Sequence, residues 1–83
     1  MTQITPALIA NIRRVGVDLA KNVIQVHAVD GAGRRILSKA VKRDQFVAWC
    51  AQLPQGCLVA MEACSGAHAW ARRLTAMGLD ARL

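Results

Sequence analysis

Short apolar runs separated by polar turns organise the chain after residue 13. Val15 to Ala20 is short and apolar and predicts a first strand. In Val23 to Val29, Ile24, Val26 and Ala28 alternate with Gln25 and His27, the period-two signature of a sheet with one wet face. Only Lys21 and Asn22 separate the two runs, and Asn suits a tight turn. Asp30-Gly31-Ala32-Gly33 is a second turn signal. Arg34 to Lys42 then predicts a third strand that closes an antiparallel meander.

The period changes at Asp44, which predicts a helix N-cap. Phe46, Val47, Cys50 and Leu53 are spaced as one face of a helix, and Pro54 and Gly56 end it. Trp49 falls off that stripe, which predicts partial exposure. Cys57 to Met61 contains no polar residue and predicts a fourth strand. Ser65 can cap a second helix whose buried stripe is Ala67, Trp70, Leu74 and Met77, with Gly78 at its C-terminal cap. Asp80 to Leu83 begins a fifth strand. The order β-β-β-α-β-α-β predicts an α/β fold with a mixed sheet and helices packed on it. Residues 1–13 form an N-terminal lead-in and 14–83 the domain, whose sheet is expected to be cut short at its C-terminal end.

Composition narrows the partners. The chain has 83 residues, enough for one domain, with 54% hydrophobic and 19% charged residues. Eleven Lys and Arg against five Asp and Glu leave a net charge of +6, which favours an anionic partner, most simply nucleic acid. No apolar run approaches the roughly 18–20 residues that span a bilayer. The weakly apolar stretch Pro6 to Ile12 is followed, not preceded, by its basic pair Arg13-Arg14, which argues against a signal peptide. A cytoplasmic location without membrane association is expected. Cys50, Cys57 and Cys64 match neither a zinc pattern nor a disulfide framework and read as small buried thiols.

Against this basic background two carboxylates stand at the ends of apolar runs. Asp18 lies in Val15-Gly16-Val17-Asp18-Leu19-Ala20-Lys21 and Glu62 closes Leu58-Val59-Ala60-Met61-Glu62. Gly16, Asp18 and Ala20 share one face of the first strand, and Ala60 shares a face with Glu62. These small neighbours leave room for an ion and its waters. Adjacent strands lie about 4.8 Å apart, so both side chains could reach one Mg²⁺ at about 2.1 Å. Two-metal phosphoryl transfer uses three or four carboxylates, and this chain supplies two. The competing reading places both residues at strand ends facing solvent.

The runs Val15 to Lys21, Val26-His27-Ala28-Val29-Asp30-Gly31 and Met61-Glu62-Ala63-Cys64-Ser65-Gly66-Ala67-His68-Ala69-Trp70-Ala71-Arg72 resemble the N-terminal domain of the DEDD transposases. These form the insertion-sequence family numbered one-ten, relatives of the Piv DNA invertase. The resemblance covers about residues 14 to 83 and implies an RNase H/RuvC-like fold. It makes Asp18 and Glu62 catalytic, metal-binding residues. It also implies two further aspartates and a serine-bearing domain beyond Leu83, so the chain resembles a truncated transposase. Mg²⁺ or Mn²⁺ is expected only for the complete site. DNA is the implied substrate. A guide RNA and a homo-oligomer are implied for the full-length protein.

The basic residues fit this context. Lys21 follows the first strand and could meet a phosphate near the metal. His68, six residues past Glu62, could face the cleft or the nucleic acid, and Arg72 is a further candidate contact. Arg13, Arg14, Arg34, Arg35, Lys39, Lys42, Arg43 and Arg73 are spread along the chain. Phosphate contacts by such residues give salt-dependent, sequence-independent binding. His27 sits on the wet face without an assigned role, and Trp70 reads as core. Two other functions compete. One is a non-catalytic nucleic-acid-binding remnant, or an interfering partner of an intact transposase. The other is an actin-like ATPase or sugar kinase, but such enzymes carry a Gly-Thr phosphate loop where Ala20-Lys21 stands here.

Overall fold

The computed structural model describes residues 6–20, 22–62 and 66–83. The elements are α1 (Pro6–Ala10), β1 (Arg14–Leu19), β2 (Val23–Val29), β3 (Arg35–Lys42), a 3-10 turn (Arg43–Gln45), α2 (Phe46–Cys50), β4 (Leu58–Met61), α3 (Ala67–Ala76) and β5 (Asp80–Arg82). The strands form one mixed sheet in the order β3-β2-β1-β4-β5. The meander β1-β2-β3 is antiparallel, while β4 runs parallel to β1 and β5 parallel to β4. Parallel pairing requires a crossover, and here α2 and α3 supply the two connections.

Period-two alternation separates the faces of the sheet. Val15, Val17, Ile24, Val26, Ala28, Val59 and Met61 point to the core, where they meet Phe46, Trp49, Cys50, Leu53 and Leu74. Gly16, Asp18, His27 and Ala60 lie on the opposite, exposed face. The helices thus cover one side of the sheet.

Several local expectations are corrected. The lead-in contains helix α1, and Ile12 is fully buried in the core. Arg13 extends the pairing of β1, donating its amide to the Val29 carbonyl and accepting from the Leu58 amide. Asp44 does not cap a helix through its side chain but lies within the 3-10 turn, with Lys42 at the capping position. Helix α2 stops at Cys50 although its apolar stripe runs on to Leu53. Beyond it, the amides of Gln52 and Leu53 bond three residues back, to the carbonyls of Trp49 and Cys50. These tighter turns before and after a five-residue helix depart from ideal spacing, and Trp49 is buried at 9% exposure rather than partly exposed.

Helix α3 begins behind Gly66, and the Ser65 cap expected from the sequence lies outside the described residues. Its C-terminus follows the sequence expectation. Gly78 has φ 92°. The Gly78 amide bonds the Thr75 carbonyl at 3.0 Å and the Leu79 amide the Leu74 carbonyl at 3.1 Å, the paired bonds of a Schellman motif.

Candidate functional site

The parallel register of β1 and β4 builds the site. Gly16 pairs with Ala60 and Val17 with Met61. Asp18 and Glu62 are the next residues on each strand, so both emerge at the same end of the sheet and on its exposed face. They line one shallow hollow of about 390 Å³ with Gly16, Val17, His27, Ala60 and Met61. Gly16 has no atom within 4 Å of where a Cβ would stand, so the floor of the hollow is open.

His27 enters the hollow because it pairs with Gly16 across the antiparallel β1–β2 ladder. Its Nδ1 lies 2.9 Å from Ser38 Oγ, on the next strand, and Gln25 Nε2 donates to the same hydroxyl at 3.3 Å. The ring is therefore held from β3, leaving Nε2 as the group able to meet a phosphate or a water. The period-two pattern put His27 on the wet face. Its neighbours there depend on cross-strand register, which the local pattern does not contain.

Other expected contacts fall elsewhere. His68 and Arg72 are exposed on α3 and do not line the hollow, because that helix packs against the covered side of the sheet. Lys21 lies outside the described residues. Among the described residues no group of three or more His, Cys, Asp or Glu is placed to hold a metal. Asp18 and Glu62 are hard oxygen donors beside small residues. Such a pair suits Mg²⁺, which keeps several waters and is commonly held by one or two carboxylates together with substrate phosphates.

Cys50 and Cys57 are buried free thiols, as expected, and Cys64 lies outside the described residues. Burial pushes the Cys50 thiol up to about 12, with Cys57 adding to the rise, and burial raises Cys57 too, against the opposing field of Arg13. Neither thiol has the lowered pKa of a reactive cysteine.

Comparison with known proteins finds relatives of similar sequence. The chain is 49% identical over 73 residues to a probable family 20 transposase of Pseudomonas aeruginosa, covering 88% of this chain and 21% of that protein. Its matched relatives are transposases. A transposase for an insertion sequence element of Coxiella burnetii is 44% identical over 73 residues, covering 88% of this chain and 20% of that protein. One from Yersinia enterocolitica is 37% identical over 73 residues, covering 88% of the chain and 22% of the relative. The chain thus spans about a fifth of the length of these transposases. No protein-family model and no solved structure matches it. Among the described residues, no helix is long and apolar enough to cross a membrane.

Proposed function

We propose that this chain supplies part of the catalytic centre of a DNA transposase, with Asp18 and Glu62 as two carboxylate ligands for a divalent cation. The observation that carries the reading is the parallel β1–β4 pairing, which brings two carboxylates distant in sequence into one hollow floored by Gly16 and Ala60. The relatives support the transposition role. The strand order, with β2 alone antiparallel to its neighbours, agrees with the RNase H/RuvC-like fold that the resemblance implies. By the same resemblance, the longer protein would act with a guide RNA and as an oligomer.

In this reading the two carboxylates hold the cation at the rim of the sheet, where a DNA phosphate can approach over the small residues. When bound, the cation neutralises phosphate charge and lowers the pKa of a water. His27, braced by Ser38, orients a phosphate oxygen or that water from the β2 side. Two carboxylates hold one cation, and a two-metal centre needs further acidic ligands. That shortfall among the described residues favours a second reading for the chain acting alone, that of a non-catalytic nucleic-acid binder.

The test is Mn²⁺ titrated into the ¹⁵N-labelled chain. Paramagnetic broadening is expected first at the amides around Gly16, Asp18, Ala60 and Glu62, and Asp18→Asn should remove it. Broadening centred elsewhere, or unchanged in that variant, would refute the assignment.

A further inference from the structure

Two arginines converge on one tryptophan at the same end of the sheet as the carboxylate pair. The Arg43 guanidinium carbon lies 5.8 Å from the Trp70 ring centroid and that of Arg73 lies 5.7 Å from it. Phe46 meets the same ring edge-on, with centroids 5.2 Å apart and an interplanar angle of 88°. Arg43 is tied down further. Its Nη1 donates to the Ala20 carbonyl at 3.0 Å, two residues past Asp18. Trp70 stands in the first turns of α3, the element that follows Glu62. The cluster therefore adjoins the C-terminal ends of β1 and β4.

Two like charges drawn to one ring repel each other, and neither is paired with a carboxylate among the described residues. The ion pair found there is Arg82 with Asp80, on β5. An aromatic face attracts guanidinium groups and limits their rotamers. A guanidinium carries five N–H donors, so Arg43 keeps others after bonding Ala20. Two guanidinium forks held against one ring, neither paired with a carboxylate among the described residues, suit a phosphate.

We propose that Arg43, Trp70 and Arg73 form a phosphate-binding cluster that holds the backbone of a nucleic-acid strand at the end of the sheet that carries Asp18 and Glu62. This deepens the nucleic-acid reading above and rests on it. Trp70 serves as the platform that aligns the two cations. Its ring is engaged by arginines and Phe46, so the cluster recognises backbone charge and not a stacked base. Binding through it is therefore independent of sequence.

The experiment is fluorescence anisotropy of a fluorescein-labelled single-stranded DNA oligonucleotide with the 83-residue chain in EDTA, across a range of salt. EDTA separates this test from the divalent-cation reading, which the Mn²⁺ titration examines without nucleic acid. Arg43→Gln and Arg73→Gln should each weaken binding and lower the slope of log K against log salt by about 0.7, the single-strand value per phosphate contact. The double variant should lose about twice that. A single-stranded RNA of the same sequence should show the same losses, and its affinity relative to DNA identifies which strand the cluster prefers. Arg34→Gln with Arg35→Gln, at the far end of the sheet, should change the slope less. Equal losses for the two pairs, an unchanged slope in Arg43→Gln with Arg73→Gln, or no binding by the unaltered chain at low salt would each overturn the proposal. Circular dichroism checks that the variants fold. If the double variant does not fold, the Trp70 indole N–H resonance of the unaltered chain decides, since it should shift on adding oligonucleotide and its failure to move overturns the proposal.

Discussion

Gly78 is the residue where backbone and packing demands coincide. It closes α3 at φ 92°, and a Cβ placed there would collide with the Gln55 side chain. The Gly56 amide also bonds the Gly78 carbonyl at 2.8 Å, which locks the two loops together. Gly78→Ala should therefore destabilise the fold by about 1–2 kcal/mol through left-handed strain, the end of the Gln55 side chain moving aside, and urea unfolding would measure it. The buried thiols make a second prediction. Cys50 has a folded pKa near 12 against an ordinary value of 9.0, so the folded state binds its proton more tightly than the unfolded state does. Its contribution is intact below pH 9 and is lost as pH climbs from there towards 12, with a slope of up to about 1.4 kcal/mol per pH unit. Urea midpoints at pH 8 and pH 10 should differ accordingly, and Cys50→Ala should flatten the dependence. The sequence singles out Asp18 as a carboxylate ending an apolar run in a basic chain, and the structure places it exposed in one hollow with Glu62. His27 gave no such signal, because a histidine on a wet face is ordinary until Gly16 is known to lie opposite.

Among the elements, those governed by local pattern followed the sequence most closely. Strand β2 runs from Val23 to Val29, the bounds its alternation set. Helix α2 did not, since 3-10 turns after Cys50 carry Leu53 into the core while Trp49 takes a buried place and Val47 is left half-buried. Ile12 was missed for a related reason. A single apolar residue outside any periodic run becomes core only once Arg13 bonds both β2 and β4. Phe46, at the start of α2, is fully buried and also braces Trp70. Phe46→Ala should cost about 3–5 kcal/mol. A small domain can have a total stability of only about 5 kcal/mol, so this variant should be largely unfolded by circular dichroism at room temperature.

At the level of the whole molecule, the helices shield one face of the sheet and leave the other to solvent, and the Asp18–Glu62 hollow lies on the open side. The mixed sheet was legible in the alternation of strand and helix signals, whereas the choice of β4 as the neighbour of β1 is a long-range pairing that no local run encodes. That pairing sets Gly16, already a small neighbour of Asp18 in the sequence, directly beside Ala60. Nothing crowds the glycine, its φ is ordinary, and the interior of a strand is a poor place for one. Gly16→Val should raise stability by about 0.5–1 kcal/mol, by urea midpoint, and at the same time abolish the Mn²⁺ broadening at Asp18 and Glu62 by filling the floor between them. A fall in the midpoint would instead mark the glycine as structural. On the divalent-cation reading proposed above, the stability that valine would add at position 16 measures what an empty space beside two acids is worth to this protein.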